Sequence, residues 1–232
     1  MLKKSGMLTV GCMLAFSSDA ISTQLIPAKG FILSGVILEE GNFKERKGFR
    51  VSMPARQWQD PDKETLTDRN YMAWLPVNFH NGIIEVDIAS TLATGAPGYA
   101  RGFAGISFRI QSEGSFENIY LRPTNSQSHD QVRRNHSVQY FSYPDFRFDR
   151  LRKEAPERYE TYAEVKLDEW THVKIVVADQ RATLYLNNNP TPAFMVNDLK
   201  LGSTAQGGVG IWIESGTIAW FRDLQVSTDS QQ

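Results

Sequence analysis

The sequence predicts an all-β protein: two antiparallel sheets packed face to face as a sandwich, with one long loop that has room for a short helix. Two observations carry that prediction. From about residue 31 onward, apolar and polar residues alternate in short segments with a period of two. Gly, Asn, Asp and Pro punctuate those segments, and no helical periodicity of any length intervenes. Successive side chains of a strand point to opposite faces, so each segment has one buried face and one polar face. That pattern belongs to antiparallel sheets, since strands of a buried parallel sheet are apolar on both sides. Packing two such sheets is the way to cover their apolar faces.

The elements follow in order. Ile84, Val86 and Ile88 alternate with Glu85 and Asp87. Ala104, Ile106, Phe108 and Ile110 alternate with Gly105, Ser107 and Arg109, and after a turn at Gly114 and Ser115 come Ile119 and Leu121. Val173, Ile175 and Val177 precede a turn over residues 178–180, then Ala182, Leu184 and Leu186 run into Asn187, Asn188, Asn189 and Pro190. Asn tolerates left-handed backbone angles and Pro cannot extend a ladder, so the strand ends there. Val209, Ile211 and Ile213 form the last clear alternation, with Trp212 and Glu214 on the other phase. Residues 143–164 break the pattern; they are dense in Arg, Glu, Tyr and Phe, with a short helix expected within 149–160. A long excursion between strands serves as a binding loop or covers a sheet edge.

At 232 residues, with 41% hydrophobic and 11% aromatic residues, the chain has enough apolar matter for one large core. The formal net charge of -1 gives no field to attract nucleic acid or anionic lipid. Lys3 and Lys4 followed by the uncharged stretch from Gly6 to Phe16 and the small or polar residues Ser17 to Ala20 form the pattern of an export signal. The expected organisation is a signal peptide over 1–20 and a single sandwich domain over 21–232, periplasmic or extracellular. The apolar run is too short for a transmembrane helix, which needs roughly 20 residues. Cys12 lies inside it, so a processed chain has no thiol for disulfides or zinc; lipid attachment at Cys12 is the alternative. His129 and His136 lack a third ligand at a fixed spacing. No metal and no cofactor is therefore expected, and the oligomeric state is open.

The chemistry concentrates in residues 120–140, YLRPTNSQSHDQVRRNHSVQY, where three arginines, three glutamines, two histidines and two tyrosines fall within 21 residues. Arg122 shares a strand phase with Tyr120, and Gln139 takes the polar phase of the strand around Val138. If the preceding strand pairs as a hairpin, Ser107 and Arg109 join that face. Planar donors beside rings suit carbohydrate, whose hydroxyls take paired hydrogen bonds while an apolar sugar face stacks on an aromatic. Arginine there also favours acidic sugars. The expected floor is Arg109, Tyr120, Arg122, Gln139 and Trp212, with Asp130, Arg133, Arg134 and His136 in a rim loop. Glu85 and Asp87, at i and i+2, present their carboxylates on one side, but read as the exposed phase of a half-buried strand.

The segments GIIEVDIAS, GFAGISFRI with ENIYLRP, EWTHVKIVVADQRATLYLNN and the closing GGVGIWIESGTIAWFRDLQV resemble the concanavalin A-like lectin/glucanase superfamily. Within it they are most similar to laminin G-like jelly rolls and to the bacterial 3-keto-disaccharide hydrolase family. The resemblance runs over roughly residues 31–227. It implies a jelly roll of two curved sheets with ligand on the concave face or its rim loops, and Arg109 and Tyr120 as ligand contacts. Three functions remain open at this level: a glycan-binding module; a hydrolase or lyase on a glycoside or 3-keto-glycoside, with His136 or Glu154 as acid or base; and a protein-interaction sandwich.

Overall fold

A computed structural model describes residues 22–25 and 30–228. The expected export signal and Cys12 lie outside the described residues. In chain order the strands are β1 (Ser22–Leu25), β2 (Ile32–Ser34), β3 (Ile37–Phe43), β4 (Arg46–Ser52), β5 (Met72–Phe79), β6 (Gly82–Leu92), β7 (Ala104–Ile110) and β8 (Phe116–Leu121). Two short helices, α1 (Pro123–Ser126) and α2 (Gln131–Arg134), precede β9 (Val138–Tyr143), and α3 (Phe148–Glu154) precedes β10 (Glu160–Thr161). Then come β11 (Thr171–Ala178), β12 (Arg181–Leu186), β13 (Phe194–Val196), β14 (Gly207–Ile213) and β15 (Thr217–Thr228). The expected alternating segments are strands, their turns fall where Gly, Asp and Asn were read, and α3 sits in the excursion.

The strands form two antiparallel sheets, as the alternation requires. The first runs β13-β12-β11-β6-β15-β4-β3, with β1 also paired to β15. The second runs β10-β9-β8-β7-β14-β5-β2. Ile84, Val86, Ile88, Val173, Ile175 and Val177 of the first sheet are buried, while Glu85, Asp87, His172 and Lys174 between them remain partly open to solvent. Those four pair with one another across β6 and β11, which places Glu85 and Asp87 on a solvated face as expected.

The second sheet departs from the simple picture. All residues of β7 and β8 are buried, on both strand phases. Ile106, Ile119 and Ile211 stand opposite one another on the phase that packs toward the first sheet. The other phase is carried by one rung across the sheet, in which Met72, Trp212, Gly105, Tyr120, Gln139 and Glu160 lie side by side. That face is roofed by the connections 53–71 and 93–103 and by the excursion holding α3. Its polar phase is therefore dry rather than wet.

Gly105 makes the rung possible. The Tyr120 and Trp212 rings belong to strands on either side of β7, yet their centroids are 4.8 Å apart. They meet over a residue with no side chain: a Cβ on Gly105 would lie 2.4 Å from both the Tyr120 Cβ and the Ile119 carbonyl oxygen. Gly105→Ala is expected to lower stability by about 1–3 kcal/mol, the usual cost of overpacking. Denaturant unfolding measures it, and an unchanged midpoint would contradict the packing described.

Candidate functional site

A cavity of about 500 Å³ opens on the roofed face of the second sheet. Its walls come from four parts of the chain: 53–71, 93–103, the turn after β14, and the α1–α2 segment with the start of α3. Tyr120 and Arg122 rise from the end of β8 into its middle.

The Tyr120 hydroxyl is fully buried and has two partners. It donates to Asp68 Oδ1 at 2.9 Å and accepts from Arg122 Nη2. The second Asp68 oxygen accepts the Phe148 amide at 2.8 Å, so this carboxyl joins the 53–71 connection, β8 and the first turn of α3. Burial pushes the Asp68 carboxyl above its ordinary pKa, and the nearby Arg122 charge opposes that shift. The Arg122 guanidinium is 4.8 Å from the Phe103 and Tyr120 ring centroids and 5.3 Å from that of Phe148. Such an aromatic collar compensates a cation that has lost its water. Arg122 is only 4% exposed, and its Nε has no hydrogen-bond partner among the described residues. A buried donor without a partner is costly, and here it belongs to a side chain that lines the cavity.

Glu214 stands on the same wall. Its Oε1 accepts from Gln59 Nε2 at 2.9 Å and from the Ser215 amide at 2.6 Å. Gln59 is itself clipped to Thr67 by two hydrogen bonds, to the Thr67 carbonyl at 2.8 Å and from its amide at 2.9 Å. Burial raises the Glu214 pKa to about 7, with a further push from the Asp68 charge and a counter-pull from the Ser215 amide. A carboxyl poised near neutrality in a cavity can take a proton or give one.

His136 closes one side. Its Nδ1 is 2.7 Å from Glu160 Oε2, and the same carboxylate receives Arg152 through Nη2 at 2.6 Å and Nε at 3.1 Å. Burial lowers the His136 pKa although Glu160 opposes it, which favours the neutral imidazole.

The profile of the 3-keto-alpha-glucoside-1,2-lyase-like domain matches residues 35–227. The chain belongs to this family. No curated protein matches it. Among solved structures it is similar to the carbohydrate-binding module CBM66 from Bacillus subtilis, at 13% identity and a TM-score of 0.50, over 84% of this chain and 96% of that one. It is also similar to a Bacillus subtilis protein with a galectin-like fold, at 11% identity and a TM-score of 0.50, over 86% and 98%. At such identities these likenesses speak to the fold alone, a two-sheet antiparallel sandwich of galectin-like type.

In this lyase-like domain the cavity gathers Tyr120, Arg122, Asp130, Arg133 and His136 of the residues expected from the sequence. It does not gather the others. Arg109 is a correction: it is the extra residue of a β-bulge between β7 and β14, with φ of 52°, and the bulge re-aims its side chain. Its guanidinium donates to the His80, Gly202 and Asp179 carbonyls at 3.0, 2.9 and 2.7 Å and to Asn81 Oδ1 at 3.2 Å, tying the turns of both sheets together at one end. Arg109, Arg122 and Gln139 thus share no basin. Trp212 is fully buried under the roof, its Nε1 donating to the Arg69 carbonyl at 2.7 Å. Gln139 is buried too and donates to the Tyr140 and Tyr159 carbonyls. Arg134 stands outside the cavity against Tyr162, and Glu154 is an exposed α3 residue paired with Arg150.

Sequence reasoning missed Asp68, Gln59, Arg101 and Phe103, which lie in connections without periodicity. Glu214 carried a signal, since alternation puts it on the face of Trp212 and Tyr120's rung. Arg152 and Glu160 fall inside the excursion read as a binding loop.

Two outcomes follow from this geometry. Arg109→Met is expected to cost about 1.5–3 kcal/mol or more in unfolding free energy, the worth of a charge-assisted hydrogen bond, while the cavity residues keep their arrangement; full stability in that variant would refute the clamp. For Glu214, the folded pKa lies above the ordinary 4.5, so its protonation favours the folded state. That contribution is complete below about pH 4.5 and is lost as pH rises through about 7. Wild type should therefore lose stability relative to Glu214→Gln between these pH values, and parallel pH profiles would contradict the placement.

Proposed function

We propose that this chain is an exported, single-domain carbohydrate-active protein that binds a 3-keto-glycoside in the cavity over the second sheet and eliminates its aglycone. The observation that carries the reading is the convergence of an unpartnered buried Arg122 Nε and the Glu214 carboxyl, near neutrality, in one cavity. Membership of the lyase-like family supports the substrate class.

The chemistry needs those two groups. A ketone at C3 makes the C2 hydrogen acidic. Ionised Glu214 takes that proton, and the charge moves to the C3 oxygen, where the Arg122 guanidinium meets it as an oxyanion donor. Asp68 and Tyr120 act as positioning residues: they hold Arg122 through the Tyr120 hydroxyl so that no reorganisation is required when charge develops. The enolate then re-forms the ketone, C1=C2 forms, and the C1–O bond breaks. The leaving oxygen takes a proton from water, and Glu214 returns its proton to the hydroxide so formed. Phe103 and Phe148 offer ring surface to the apolar side of the sugar.

Glu214→Gln is expected to lower turnover of a 3-keto-α-glucoside by about 10²–10⁴-fold, the range for a lost general base, while calorimetry still shows the sugar binding. Wild-type kcat/KM should rise with pH through about 7 as Glu214 ionises, a limb absent from the variant. A larger loss in His136→Ala than in Glu214→Gln would move the base to His136. Binding without any turnover by the wild type would leave a binding module and remove the catalytic step.

A further inference from the structure

The mouth of the cavity is built differently from its floor. The buried part holds the Asp68 carboxyl and the Gln59 amide, with the half-buried Glu214 hydrogen-bonded to Gln59. At the mouth stand Arg101, on the connection before β7, and Arg133, on α2, with Val132 and Asp130 beside them. The other arginines of the lining are engaged: Arg122 with Tyr120, Arg152 with Glu160. Arg101 and Arg133 have no carboxylate within ion-pair distance among the described residues, and both line the same opening.

Arg101 is not an idle surface cation. Its Nη1 donates to the Gly98 and Ala100 carbonyls at 2.7 and 2.8 Å, which fixes the guanidinium and leaves its other nitrogens for a ligand. It is half-buried, and burial together with the neighbouring Arg133 charge lowers its pKa. Two cations that repel each other over a shared opening are relieved by an anion placed between them. The acid at the mouth, Asp130, has its Oδ1 occupied by the Val132 and Arg133 amides at 2.9 and 3.3 Å, as the cap of α2. Two cations offset by one carboxylate suit a single negative charge better than a dianion. Val132, 66% exposed, adds an apolar surface at the same opening.

We propose, on the reading that a 3-keto-glycoside occupies the cavity, that its aglycone is an apolar body bearing a carboxylate, which is held by Arg101 and Arg133 with the body against Val132. The sugar ring lies deeper, at Arg122 and Glu214, and the aglycone points outward. This defines the substrate class as glycosides of carboxylic acids with a ring or alkyl frame, rather than neutral disaccharides.

The test uses the Glu214→Gln protein, so that ligand is not consumed, and two probes of nearly equal shape: the para-carboxyphenyl and para-carbamoylphenyl 3-keto-α-glucosides. Calorimetry at low salt is expected to give about tenfold tighter binding of the carboxylate, the effect of a charge-assisted pair. Adding Arg101→Gln or Arg133→Gln should remove most of that preference, weakening the carboxylate probe more than the carbamoyl probe. Physiological salt should narrow the preference, since the mouth is open to solvent. Equal affinities for the two probes, or a preference that survives both substitutions, would overturn the anion subsite while the sugar site stands. Failure of both probes to bind would overturn the sugar site and the subsite together. Arg133 is exposed on a short helix, so its substitution keeps the test readable even if Arg101→Gln disturbs the connection.

Discussion

The hydroxyl of Tyr120 is the point on which the site depends. It is buried between a carboxyl from the 53–71 connection, which also accepts the Phe148 amide, and the guanidinium of the residue after its own strand, which lies against three rings. A buried hydroxyl left without a partner costs free energy on the order of 1–3 kcal/mol, and a buried carboxylate costs more. The three groups are therefore tolerable only together. Their mutual satisfaction pins the roof to the sheet, and the space left under the roof is the cavity.

The same logic separates structural from functional polarity in this molecule. Arg109, Glu117 and Tyr140 are as buried as Arg122, yet their donors and acceptors are consumed by the protein. Arg109 holds three carbonyls and a side-chain amide, while Glu117 accepts from the Tyr140 hydroxyl at 2.5 Å and the Leu201 amide at 2.7 Å. Arg122 differs in one atom, a buried Nε without a partner among the described residues, on a side chain that lines the cavity. Burial alone does not mark a functional residue. On the proposed reading, the mark is incomplete satisfaction in a side chain that lines the cavity.

Glu214 shows how the fold tunes chemistry without a special motif. It follows β14 at a turn, where the Ser215 amide and the Gln59 amide group approach one oxygen. Those donors stabilise the carboxylate, but loss of water and the proximity of Asp68 outweigh them, and the pKa climbs to about 7. The Gln59 side chain is in turn clamped by Thr67, one residue from Asp68. The two acids are thus joined through a single short loop, and the Asp68 charge helps to raise the proton affinity of Glu214.

Period-two alternation, read from the sequence alone, determined six of the strands, the turns beside them and the two-sheet antiparallel class, because strand geometry imposes that period on any half-buried ribbon. It also located Tyr120 and Arg122 on one phase and the rim residues Asp130, Arg133 and His136 near them. Only the tertiary structure decided which phase of the second sheet would be dry. The roof comes from segments with no periodicity, and its key contacts span large separations: 52 residues between Asp68 and Tyr120, 155 between Gln59 and Glu214. A bulge at Arg109 and the missing side chain at Gly105 then redirected one expected ligand group and let two rings close over another. Such choices rest on which distant groups satisfy each other's hydrogen bonds, and local pattern holds no record of that.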